Sequence, residues 1–168
     1  LTSTMSASLL TITMASGASV INLSPTSTQG TILNAGVLSA VTTGSTLLLR
    51  GPNLGSTAGA GVANLTFTGT APVQIGGAGA VGTTTMSIRP DILVDTSLTG
   101  TGTSFATYVG GAGANTVGGP GFRALTAAEL APFLSSGATT NVALGYQHGG
   151  RFVTATTTSN DGSIDDAG

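Results

Sequence analysis

The chain has 168 residues, of which 6% are charged: four Arg, no Lys and six acids, for a net charge of -2. Four scattered cations form no basic stripe for a phosphate backbone, which excludes nucleic acid as a partner, and the absence of Cys removes both a disulfide framework and a thiolate metal site. A hydrophobic content of 40% with 4% aromatics and no Trp excludes disorder and predicts a thin core of small aliphatic side chains.

Thr and Ser alternate with Ile, Leu and Val, a pattern suited to a pleated, half-buried surface. Strands are predicted in chain order at Leu9–Met14, Val20–Ser24, Thr31–Val41, Thr46–Arg50 and Val62–Thr68. They continue at Val73–Ile75, Thr84–Ile88, Ile92–Val94 and Ser104–Val109. Short Gly, Asn-Ala-Gly, Thr-Gly and Ser-Gly breaks separate them, too short to hold helices, so the reading is all-β. In the first fifty residues, strand, small-residue turn and strand follow one another like the rungs of a parallel β-helix. That architecture explains the missing charge. Each residue sits about 4.7–4.9 Å above its counterpart in the preceding coil, so a repeated charge would face its own sign.

Residues 110–138 are expected to leave the coil. Gly110–Gly121 reads as a loop, and Leu125–Leu134 carries Thr126 and Glu129 at the capping-box spacing. A short helix near 126–134 follows, limited by Pro132. Asn141–Leu144 and Phe152–Thr158 return to strand. The whole chain, 1–168, is thus expected to be one β-solenoid segment, excised from a longer protein whose export signal lies upstream, since Leu1 opens no basic region followed by an apolar one. No apolar run approaches the ~18 residues of a membrane helix, and two Tyr with five Phe cannot supply the aromatic girdles of an outer-membrane barrel.

The motifs weigh against chemistry. Gly77-Ala-Gly79-Ala-Val-Gly82 matches a dinucleotide fingerprint, but Thr83–Ile88 after it is strand-like where the pyrophosphate needs a helix N-terminus. Gly110–Val117 resembles a single calcium-binding nonapeptide with Asn115 in place of the preferred Asp, without the successive copies a β-roll needs. Asn160, Asp161, Asp165 and Asp166 lack the Glu that closes an EF-hand loop. No catalytic, cofactor-binding or metal-binding residue is assigned. Asn64-Leu-Thr66 and Asn22-Leu-Ser24 match the glycan acceptor, with Asn64 inside a strand pattern and Pro25 after the other. Thr-x-Thr pairs (Thr11/Thr13, Thr66/Thr68, Thr83/Thr85, Thr99/Thr101, Thr154/Thr156) match the chemistry of β-helical ice-binding faces. Gly inside or beside several of them favours turns instead. His148, the one histidine, lies near Tyr146, Arg151 and Phe152; these four are the candidate carbohydrate contacts.

Leu48-Leu-Arg-Gly-Pro-Asn-Leu-Gly55, Ala63-Asn-Leu-Thr-Phe-Thr68, Gly76-Gly-Ala-Gly79, Ser104-Phe-Ala-Thr-Tyr108 and Phe122-Arg-Ala-Leu-Thr-Ala-Ala-Glu129 together resemble the passenger regions of bacterial proteins with autotransporter-associated β-strand repeats. The resemblance implies a right-handed parallel β-helix, secretion or display at the bacterial cell surface, and a structural, stalk-like or adhesive role without enzymatic activity. A carbohydrate-binding or carbohydrate-active β-helix is the alternative, which would make surface glycans the partner. Leu1–Leu10 holds no charge, so the expected partners are neighbouring coils of the parent chain or further copies, associated end to end into an elongated or filamentous particle.

Overall fold

The computed structural model describes residues 3–39, 44–111, 113–114, 117–131, 146–147 and 151–152. Its strands are β1 (Ser3–Ile12), β2 (Gly17–Asn22), β3 (Gln29–Leu38), β4 (Ser45–Arg50), β5 (Ala63–Phe67), β6 (Arg89–Asp95), β7 (Ser104–Gly110), β8 (Gly113–Ala114) and β9 (Gly121–Ala124). A 3-10 turn at Ala127–Glu129 and the short strands β10 (Tyr146–Gln147) and β11 (Arg151–Phe152) follow. The chain divides into two compact units, Leu1–Ile75 with Ser87–Leu125, and Gly76–Met86 with Thr126–Gly168.

The first unit is built by alternation. In β4, Ser45, Leu47 and Leu49 are buried while the residues between them are exposed or half-buried, the period of two that a pleated strand imposes. Two parallel stacks result. One is β1-β3-β5, with Ala7 beside Leu33 and Leu33 beside Leu65. The other begins β2-β4-β6, with Ile21 beside Leu49 and Leu49 beside Val94. Successive strands of the chain alternate between the stacks, so each stack contributes one face to a common core containing Ala35, Leu65 and Phe67 from the first and Leu47, Leu49, Ile92 and Val94 from the second. Outside the core, neutral side chains tie the first stack together: Asn34 Nδ2 donates to Ser6 Oγ at 2.7 Å and Thr66 Oγ1 donates to Asn34 Oδ1 at 2.5 Å.

Parallel stacking stops at β6. The expected right-handed parallel β-helix over 1–168 is not what forms: the first unit holds two open sheets, and the second of them is mixed. β7 pairs antiparallel with β6, and β8 and β9 pair antiparallel with β7. The cause is a tight reversal after Asp95. Its carboxylate accepts the Ser97 N–H at 2.8 Å and the Gly102 N–H at 2.9 Å, and Gly102 adopts φ +106, open to glycine and strained for other residues. The chain is thereby folded back onto β6 instead of travelling round to a fourth parallel strand of the first stack. The segment Gly110–Gly121, expected as loop, contributes β8 and the start of β9 to this antiparallel half.

In the second unit the expected helix near 126–134 is a single 3-10 turn. The chain is already extended at Leu130, with φ -111 and ψ 132, and Pro132 disfavours helical backbone at Ala131 just after it. The N-terminal half of the sequence signal is kept: Glu129 Oε2 accepts the Thr126 N–H at 2.8 Å.

Candidate functional site

The feature that sets the first unit apart from a closed domain is its N-terminal end. Met5, Ala7 and Leu9 lie in register with Thr31, Leu33 and Ala35 of β3, and through them with Ala63, Leu65 and Phe67 of β5. The last three are 0% exposed, whereas Met5 is 63% and Leu9 48% exposed. These side chains belong to the core face by register, and nothing among the described residues covers them. Every residue from Thr4 to Thr11 is exposed. On β2, the outward Val20 is 52% exposed. Among the described residues β1 and β2 each pair with one strand only, so their outer edges present N–H and C=O groups without a strand partner there. No charged residue precedes Arg50, so the edge carries none of the Lys or acid that natural sheets use against strand addition.

The opposite end of the parallel stacks is occupied. β6 has β7 on its far edge. β5 is closed by a side chain: the Phe67 N–H donates to the Tyr108 hydroxyl at 2.9 Å, that hydroxyl donates to the Gly118 carbonyl at 3.0 Å, and the Gly118 N–H donates to the Phe67 carbonyl at 2.6 Å. Tyr108 sits edge-on to Phe67 and Phe122, with centroids 5.7 Å and 5.1 Å away. Burial pushes its phenol pKa above the ordinary value, and the Phe67 N–H bond offsets part of that.

Beside β5, Ile32, Thr57, Ala58, Asn64, Thr66, Gly119 and Pro120 line an uncharged cavity of about 240 Å³. Asn64 Nδ2 donates to the Ser56 and Pro120 carbonyls at 2.9 and 2.7 Å, which fixes the amide orientation and leaves its buried Oδ1 without a partner among the described residues. Charges elsewhere serve the fold. Arg89, fully buried, holds Asp91 through Nε and Nη2 at 2.7 and 2.6 Å, and Arg50 Nε donates to the Gly100 carbonyl at 2.6 Å. The backbone N–H groups of Ser97 and Gly102, with smaller help from Arg50, hold the Asp95 carboxyl below the usual range. No group of three His, Cys, Asp or Glu comes together among the described residues.

The residues singled out from the sequence fall in different places. β10 and β11 pair antiparallel, placing the backbone of Tyr146 opposite Phe152 and that of Gln147 opposite Arg151; the side chains of these residues and all of His148 lie outside the described residues. Asn115, Asn160, Asp161, Asp165, Asp166, Thr154 and Thr156 also lie outside them. The Gly77–Gly82 motif forms a loop closed by the Gly79 N–H on the Thr85 carbonyl at 3.0 Å. Its Gly82 N–H is already taken by Glu129 Oε1 at 2.9 Å, so a carboxylate stands where a phosphate would be needed. Asn64 is buried, which removes it as a glycan acceptor. The described Thr pairs fall at the end of β1, on β5, in the Gly77–Met86 loop and in the β6–β7 turn, so no strand register aligns them in one array.

Sequence reasoning found the uncharged N-terminal edge but missed two structural residues. Asp95 was legible as Asx-turn chemistry two residues before Ser97. Tyr108 had no such signal, since its role depends on a partner 41 residues away. Compared with protein-family models, curated proteins and solved structures, the chain matches none of them.

Proposed function

We propose that the chain is a non-enzymatic structural segment of an exported bacterial surface protein, and that it associates through the uncovered edge of β1 and β2. The observation that carries this reading is the exposure of Met5 and Leu9 on the core face of an uncharged edge strand. Burying apolar surface and satisfying a row of backbone groups both favour an added strand there. The near absence of charge fits a chain selected for packing, and the described Arg, Asp and Glu side chains are engaged within their own units. Light scattering over a concentration series tests the reading. The expected outcome is a mass that rises with concentration and falls back in Thr4→Lys/Ser6→Lys, because a lysine-bearing edge resists strand addition. A compact monomer at high concentration overturns it.

A carbohydrate-binding role is the second reading, favoured by the hairpin register that sets Tyr146 across from Phe152, one position from Arg151. Binding on a glycan array that Tyr146→Ala and Arg151→Ala abolish, with the fold intact by circular dichroism, would put this reading first.

A further inference from the structure

We infer that the partner at the β1/β2 edge is a second copy of this chain, in a closed two-fold pair with β1 antiparallel to its counterpart. The inference rests on the association reading above and names its geometry. An elongating array needs two complementary ends, and the parallel stacks have one: β6 is occupied by β7, and the free edge of β5 by Tyr108 and Gly118. The second sheet ends in β8 and β9, which pair only with β7 and have two and four residues, too short to accept the ten-residue β1, so head-to-tail growth lacks a matching acceptor edge. An open edge meeting its own kind is an isologous contact, which ends at two copies.

The register follows from the face that must be covered. Antiparallel partners directly opposite one another share a sheet face, so the odd-numbered core-face residues of β1 must meet one another. Centring the axis on Ala7 sets Met5 against the Leu9 of the other copy, twice, and joins the two cores through the apolar side chains that are 63% and 48% exposed in the single copy. One axis perpendicular to both sheets pairs β2 with its counterpart at the same time. Neutrality removes the usual objection to self-pairing, because residues 1–49 bring no like charges together.

The area is sufficient for a reversible dimer. Ten residues of β1 span ~33 Å at about 3.3 Å per residue, and two sheets packed ~10 Å apart present an end roughly 20 Å wide with their side chains. That is on the order of 600 Å² per copy and 1,200 Å² for the pair, at the lower limit of specific interfaces. Micromolar association is the corresponding expectation.

Sedimentation velocity and cross-linking on the whole chain decide it together. The wild type is expected to sediment as a monomer–dimer equilibrium with no larger species. Met5→Lys/Leu9→Lys, at two exposed positions that the fold does not need, is expected to raise the dissociation constant at least tenfold. In a chain without cysteine, Ala7→Cys is expected to give a disulfide-linked dimer under mild oxidation, since the axis brings the two introduced thiols face to face within reach of a bridge. Filaments or a ladder of oligomers, with no disulfide-linked dimer from the Ala7→Cys variant, overturn the two-fold pair while leaving association standing. A monomer at all concentrations overturns both.

Discussion

Replacing Tyr108 with Phe isolates the closure of the β5 edge. The ring and its edge-on contacts with Phe67 and Phe122 are kept, so no large cavity opens. What is lost is the acceptor for the Phe67 N–H and the donor to the Gly118 carbonyl. The Gly118 carbonyl belongs to a half-buried residue and recovers a water, whereas Phe67 is 0% exposed and its N–H is left unsatisfied. An orphaned buried donor costs about 1–3 kcal/mol. At 2 kcal/mol the melting temperature falls by about 4–8 °C for a chain of this size, and the urea midpoint drops with the slope unchanged. Tyr108 also sets the alkaline behaviour. Unfolded, its phenol ionises near pH 10; folded, burial holds the pKa higher. The advantage of the wild type over Tyr108→Phe is therefore complete below pH 10 and shrinks as the pH rises through the folded value. A difference under about 0.5 kcal/mol at pH 7, or a gap that stays constant from pH 8 to 11, refutes the assignment of Tyr108 as the edge closure.

Asp91→Ala strands the fully buried Arg89 guanidinium and is expected to cost about 3–5 kcal/mol by denaturant titration, while replacing both residues with apolar ones of similar volume is expected to recover much of it. Leu49→Ala, between Ile21 and Val94 at the centre of the second stack, is expected to lose about 2–5 kcal/mol in the same assay. For Asp95 the sign is acidic. Its folded pKa lies below the unfolded one, so its contribution is present above about pH 4 and is lost as pH falls through the folded value; Asp95→Asn is expected to flatten that part of an acid titration followed by circular dichroism.

Much of the parallel half was legible because its signal is local. Alternation in Thr46–Arg50 and Val62–Thr68 places the right residues on the core face, and β3 and β4 fall where the pattern puts them. β1 begins six residues before the predicted Leu9, since Ser3–Ser8 holds few large apolar side chains and owes its pairing to β3. Thr84–Ile88 looks like a strand by composition, yet only Ile88 bridges, to Ile75, because Gly79 and Thr83 bind Thr85 and Ala80 in a turn. The reversal at Asp95 was the decisive omission: two backbone N–H groups bound by one carboxylate override a propensity that reads equally well as parallel or antiparallel strand. For the candidate edge, its neutrality was visible in the sequence; that the other end is closed was not, since closure depends on Tyr108, Gly118 and Phe67 meeting in space.

The Asp95 reversal also orders the events of folding. Val94 meets Ser104 ten residues away, and Val109 meets Gly121 twelve away, whereas Met5 must find Thr31, Thr31 must find Ala63, and Leu47 must find Ile92. Closing a loop of 45 residues instead of 10 costs about 1.3 kcal/mol more in chain entropy. The antiparallel half therefore forms first, while β1 and β2, exposed along almost their whole length, are the strands held by the least burial. A chain in which they have opened offers its β3–β4 edge to the first β1–β2 pair that arrives, and in concentrated refolding that pair belongs to another molecule. Exchange of β1 and β2 across the 23–28 connector is the consequence, with slow hydrogen exchange in β6, β7 and β9 and fast exchange in β1 and β2.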